Sequence, residues 1–196
     1  MIQILLLLVH QTYLLTDRMK IIFLDIDGVL NSDRSIMTAG KKHQAWKSTT
    51  PDIGGYEKFT VCTIDPIAVE LINLLVRETG AKIVLSSVHR NHFKGNEDVR
   101  VPLIREYLAK LGIESEHVIG FTSSNFNGHR GSQINEWLEK NPQVLHYVII
   151  DDSGDMLDCQ KEHFVLVSGR DGLSSGNYRD ASRILDFKLS DIIQVY

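Results

Sequence analysis

Short, unbroken apolar runs punctuate this chain: Ile21-Ile22-Phe23-Leu24, Ile83-Val84-Leu85, Val148-Ile149-Ile150 and Phe164-Val165-Leu166-Val167. An exposed sheet face would show alternation of apolar and polar residues. Continuous runs predict strands covered on both faces. We read strands over 21–27, 81–87, 118–121, 147–152 and 164–167. Between them lie longer stretches with helical spacing. Asp65 is placed to cap a helix that Pro66 opens; Ile67, Val69, Leu71, Ile72, Leu74 and Leu75 form its apolar face, and Gly80 ends it. A second helix is expected from Val101 to Leu111, stopped by Gly112. A third runs from Arg130 through Ile134, Trp137 and Leu138 and closes at Asn141-Pro142, and a fourth covers 179–187. Strands that alternate with helices predict an α/β fold, a three-layer Rossmann-like parallel sheet with helices on both sides.

Two stretches interrupt the pattern. Residues 31–63 are polar and irregular, too long for an ordinary connection, and read as a flap or small cap inserted over a site. Residues 1–19 begin with an apolar run that is too short to span a membrane. They also lack the basic start and small-residue cleavage site of a signal peptide. They read as an N-terminal extension, with Met19 as an alternative start, ahead of a single domain over 20–196. No internal repeat or low-complexity tract is visible.

Composition narrows the class only a little. The 196 residues are 43% hydrophobic and 23% charged, ordinary for a globular domain, and the net charge of −4 argues against nucleic-acid binding spread over the whole surface. Cys62 and Cys159 lie far apart without metal-type spacing, which fits a reducing cytoplasm.

The chemistry gathers where the apolar runs stop. Asp25 and Asp27 end the first strand, Ser86 and Ser87 the second, Asp151 and Asp152 the fourth. In an open parallel sheet that edge binds ligands. Two carboxylates about 4 Å apart repel by roughly 4 kcal/mol at an effective dielectric near 20. Such crowding calls for a bound cation or a carboxyl held protonated. Oxygen donors with no His/Cys cluster favour Mg²⁺ over Zn²⁺. Each feature is ordinary by itself, because aspartates cap turns and serines close strands; their joint order is what points to a site.

Asp25-Ile26-Asp27-Gly28-Val29-Leu30 resembles the first motif of the haloacid dehalogenase-like (HAD) phosphatases. The later motifs follow in the same order across nearly everything from Lys20 to about Leu185. The resemblance implies that Asp25 is the nucleophile that takes up the phosphoryl group. It makes Asp27 the acid/base, with its main-chain carbonyl on the metal, and gives Ser86 a phosphoryl oxygen, with Ser87 as the fallback. Asp151 and Asp152 become metal ligands, Asp152 the favoured direct one, with Asp155 acting through water. Arg130 takes the place of the motif's cation, where most of the superfamily has Lys. Gly28 falls among the substrate-contacting positions.

Leu85-Ser86-Ser87-Val88-His89-Arg90, Thr122, Arg130-Gly131 with Ile134 and Trp137-Leu138, and Gly172-Leu173 further resemble the HAD domain of Swiss-Army-knife RNA repair proteins. His89 stands where that family usually has Trp. Polynucleotide 3′-phosphatases also carry an Arg just after the second motif, so the resemblance offers Arg90 as a clamp on the substrate phosphate. Lys41, Lys42, His43, Trp46 and Lys47 offer a basic, stacking lip, and His89, His92 and His129 are the histidines expected near the cleft.

The expectation is therefore a Mg²⁺-dependent phosphatase of phosphomonoesters, with RNA or DNA ends as candidate substrates and no membrane partner. Small phosphometabolites or nucleotides are the alternative substrates. A receiver-like signalling domain is the alternative class, although its acid pair comes at the first strand rather than late. A catalytically silent domain that binds phosphorylated ends is the third option. The sequence gives no oligomeric state.

Overall fold

The computed structural model describes residues 19–39, 63–123 and 129–186. The N-terminal extension, most of the expected flap with its basic lip, and the tail after Asp186 lie outside the described residues. Five strands form one sheet: β1 (Lys20–Leu24), β2 (Lys82–Leu85), β3 (Val118–Phe121), β4 (His146–Asp151) and β5 (Phe164–Leu166). All pairings are parallel and the spatial order is β3-β2-β1-β4-β5. The chain winds outward from β1 to β3, returns across the sheet, and continues with β4 and β5 on the other side. The order reverses beside β1, the place where such sheets bind ligands.

Among the described residues five α-helices accompany the strands: α1 (Asp33–Thr38), α2 (Pro66–Thr79), α3 (Glu97–Lys110), α4 (Arg130–Lys140) and α5 (Ser175–Asp186). Alternate residues of β1 serve two separate cores. Ile22 and Leu24 pack with Ile72 and Leu75 of α2, Ile104 and Leu108 of α3, and Ala181 and Leu185 of α5. Ile21 and Phe23 face the other way, toward Ile134 and Trp137 of α4. The continuous apolar runs are thus explained by helices on both faces, which makes the three layers.

The α2 caps are those the sequence predicts. Asp65 accepts a hydrogen bond from Ile67 N at 2.9 Å, and Gly80 closes the helix in the left-handed region. Elsewhere the boundaries shift. A short helix, α1, sits inside the stretch read as irregular, held by a Ser32/Ser35 capping box. α3 starts before Val101, at the Asn96 cap, and runs through Pro102. α5 starts at Ser175 rather than 179. Among the described residues no helix is long and apolar enough to cross a membrane.

Phe23 is fully buried and meets the edges of Trp137 at 5.3 Å and Tyr147 at 5.8 Å between ring centroids. Phe23→Ala is expected to lower stability by about 3–5 kcal/mol in urea unfolding. The exposed Leu145 should tolerate Ala within about 0.5 kcal/mol.

Candidate active site

The strand ends align four polar residues. Leu24 pairs with Leu85 and with Ile150, and Leu85 pairs with Phe121. One step further on, Ser86 N donates to Leu24 O at 2.8 Å, Thr122 N to Leu85 O at 3.0 Å, and Asp25 N to Ile150 O at 3.1 Å. Thr122, Ser86, Asp25 and Asp151 therefore form a buried row across the carboxyl edge of the sheet. The Ser86 and Thr122 hydroxyls have no hydrogen-bond partner, although both are buried. Buried hydroxyls are normally satisfied, so both are suited to a ligand oxygen. Ser87, the fallback, instead gives its hydroxyl to Asp25.

Asp25, Asp151 and Asp152 each bring a carboxylate oxygen within 4.8 Å of the others, an arrangement that can hold a metal ion. Asp151 is pushed up to about 8, by burial first and then by the negative charge of Asp25. Burial likewise raises Asp25 and Asp152; at Asp25 the Arg130 charge and the Ser87 hydroxyl work against it. Arg130 reaches between two of the acids, with Nη2 3.3 Å from Asp25 Oδ2 and Nε 3.3 Å from Asp151 Oδ2. One guanidinium does not neutralise three carboxylates, and a hard divalent cation fits the remaining charge and the all-oxygen donors.

Local packing fixes Arg130. Its backbone N donates to Asp155 Oδ2 at 2.9 Å, Gly131 N donates to Asp155 O, and Gln160 Nε2 donates to Gly131 O at 2.8 Å. A Cβ at Gly131 would lie 2.6 Å from Leu157 N, so only glycine lets the first turn of α4 dock this closely on the loop after β4. Asp155 is occupied in that docking, its other oxygen accepting from Ser153 Oγ at 2.9 Å. It lies outside the cluster of Asp25, Asp151 and Asp152, where it was expected to act only through water.

Gly28, expected at a substrate-contacting position, lines the groove beside Asp27 and Asp152 and has a packing role as well. Its φ is +76°, and a Cβ there would fall 2.1 Å from Asp152 Oδ2. The glycine makes room for the Asp152 carboxylate. The Asp27 side chain is not part of the acid cluster and is held by other partners: Asn31 Nδ2 donates to Oδ1 at 2.9 Å, and His89 Nε2 is 2.9 Å from Oδ2. Arg90, expected as a phosphate clamp, is buried with its donors on carbonyls. Nε and Nη2 go to Ser123 O at 3.1 and 2.9 Å, Nη1 to Ser87 O, and Nη2 also to Gln133 Oε1 at 2.5 Å. It braces the loops after β2 and β3. Burial, then repulsion from Arg130, lowers it to about 10. Of the other histidines, His129 precedes α4 with its side chain largely exposed, and His92 stands edge-on to His89.

A family model described as the HAD domain in Swiss Army Knife RNA repair proteins matches residues 21–177. The chain belongs to that family. A search of curated proteins finds no match. HAD domains are generally phosphatase-type hydrolases that use Mg²⁺, and the acid cluster of this one is of the kind that binds a metal. Sequence reading missed the contacts of Asn31 and His89 with Asp27, and the inward course of Arg90. Asn31, four residues after Asp27 in a Gly-containing turn, carried the only local signal.

Asp151 ties pH to stability. Folded, it holds its proton up to about 8; unfolded, only to about 3.8. Between those values the folded state binds more protons, so metal-free stability falls as pH rises from about 4 to about 8. A divalent cation binds the ionised form and should reverse the trend. Melting temperatures in EDTA should drop toward pH 8, and the rise on adding Mg²⁺ should be largest there. Gly28→Ala should displace Asp152 and weaken Mg²⁺ binding by about 10–100-fold, read by calorimetry.

Proposed function

We propose that this HAD domain is a Mg²⁺-dependent phosphatase that hydrolyses phosphomonoesters through a phosphoryl group carried on Asp25, and that its substrates are the terminal phosphates of RNA or DNA. The observation that carries the reading is the row Thr122, Ser86, Asp25 and Asp151. It sets a buried carboxylate between two unpartnered hydroxyls and an acid cluster crossed by Arg130.

Asp25, Asp151 and Asp152 would hold the metal, with the main-chain carbonyl of Asp27. When bound, the ion offsets negative charge on the phosphoryl oxygens and on the carboxylates around them. Arg130 directs the Asp25 carboxyl and favours its ionised form, working against the burial that on balance raises it. A carboxylate oxygen of Asp25 attacks phosphorus, and the bond to the leaving oxygen breaks as that oxygen takes the Asp27 proton. Water then attacks the same phosphorus and gives its proton to Asp27. The Asp25–phosphorus bond breaks, and the enzyme returns to its starting state. Ser86 and Thr122 are placed to hydrogen-bond the phosphoryl oxygens.

A groove of about 490 Å³ beside Asp27 and Asp152 supports a substrate larger than the phosphate alone. Its lining includes Ile36 and the exposed Arg170, an apolar contact and a cation for a following nucleotide. Two cysteines in 196 residues suit a reducing cytoplasm better than a disulfide-built secreted domain.

Phosphate release from 4-nitrophenyl phosphate should require Mg²⁺, stop with EDTA, and fall to background in Asp25→Asn. Among natural substrates, 3′-phosphorylated oligonucleotides should exceed mononucleotides in kcat/KM. The opposite ranking would move the function to small phosphometabolites. A phosphoprotein that persists for minutes would favour the signalling reading.

A further inference from the structure

The groups behind Asp27 have no part in the chemistry above. His89 lies in the single-turn helix Val88–His92 after β2 and is 1% exposed, whereas the Asp27 side chain it touches is 43% exposed. Its Nε2 is 2.9 Å from Asp27 Oδ2, and its Nδ1 is 2.5 Å from the Tyr107 hydroxyl. Tyr107, on α3, is 6% exposed and stacks on the imidazole with ring centroids 5.7 Å apart at 29°. Phe93 tilts against Tyr107 at 5.6 Å.

An ionised carboxylate only accepts hydrogen bonds. Whatever charge the ring carries, Nε2 must hold a proton when Asp27 is ionised, and the Tyr107 hydroxyl engages Nδ1. Tyr107 thereby fixes the ring plane and the nitrogen presented to Asp27. Asn31 holds the other carboxylate oxygen, and Gly28 N donates to Asn31 Oδ1 at 2.9 Å, so that partner is fixed as well. An aspartate at the open mouth of a groove would otherwise sample several rotamers. Here each oxygen is tied to a partner that is itself held by a second hydrogen bond.

We propose that His89, locked by Tyr107, is a positioning residue that aims the Asp27 carboxyl at the leaving-group oxygen; this rests on the phosphatase reading. The role concerns direction, and it predicts a particular pattern of loss. Misaligning a proton donor matters where the leaving group needs a proton and little where it departs as a stable anion.

The test compares kcat/KM for an alkyl phosphate and for 4-nitrophenyl phosphate, both with Mg²⁺, in wild type, His89→Phe, His89→Gln and Tyr107→Phe. His89→Phe should lose about 10–100-fold on the alkyl ester and at most about threefold on the aryl ester. His89→Gln, which keeps an N–H donor, should recover most of the loss, and Tyr107→Phe should show the same selectivity in weaker form. If His89→Phe fails to melt cooperatively, the Gln and Tyr107 variants carry the comparison. Equal losses on both esters, or none, would overturn the positioning role while leaving the phosphatase standing. A wild type inactive on both esters would overturn the phosphatase reading and this role with it.

Discussion

Like charges have to be held together at the carboxyl edge of this sheet. Asp25 and Asp151 end neighbouring strands in register, and Asp152 follows at once. Nothing in strand pairing favours three carboxylates there. The cost shows as acids driven toward their protonated forms, Asp151 most clearly. Around this conflict the chain makes several accommodations. Arg130 is brought in from across the sheet, α4 is docked on the β4 loop through a glycine, and Gly28 gives up its side chain so that Asp152 fits. These features weaken a domain that does nothing, and they are intelligible if a cation and a phosphoryl group complete the balance.

The acid cluster and the apolar sheet beneath it depend on each other. Asp25 is positioned because Ile21 to Leu24 are fully buried on both faces, which leaves the strand no freedom to slide. A slip of one residue would exchange the two cores and carry Asp25 out of register with Ser86 and Asp151. The precision of the site is a consequence of the unbroken apolar pattern of β1, with polar residues only at its ends.

That pattern is why so much was legible beforehand. Asp25, Ser86, Asp151 and Asp152 announce themselves as polar residues at the ends of apolar runs, and parallel pairing alone brings strand ends together. Arg130 was legible by order along the chain. Less was visible where side chains choose partners in three dimensions. Arg90 carries the same charge whether it clamps a phosphate or braces two loops; its burial against Ser87, Ser123 and Gln133 decided for the brace. His89 meets Asp27 across 62 positions, and no local spacing encodes that distance. Helix starts shifted for a related reason. At α3 the apolar face is weak and Pro102 suggests a boundary, whereas the Asn96 side chain, accepting from Val99 N at 3.2 Å, starts the helix earlier.

Arg130, which the resemblance puts in the place of the motif's cation, has a geometry suited to its two acids. An ammonium is one compact charge, best where its partners converge on a point. Here Asp25 and Asp151 are met by different nitrogens, Nη2 and Nε, each 3.3 Å from its carboxylate oxygen. A planar fork can bridge two such acids and fix their spacing, whereas a lysine would have to favour one of them or sit between at longer range. The guanidinium keeps a further buried nitrogen, Nη1, without a partner. Buried donors of a charged group are costly to leave unmet, so this N–H adds to the Ser86 and Thr122 hydroxyls a third group suited to an anionic oxygen. An arginine here therefore bridges both acids with one positive charge and carries a further directed donor.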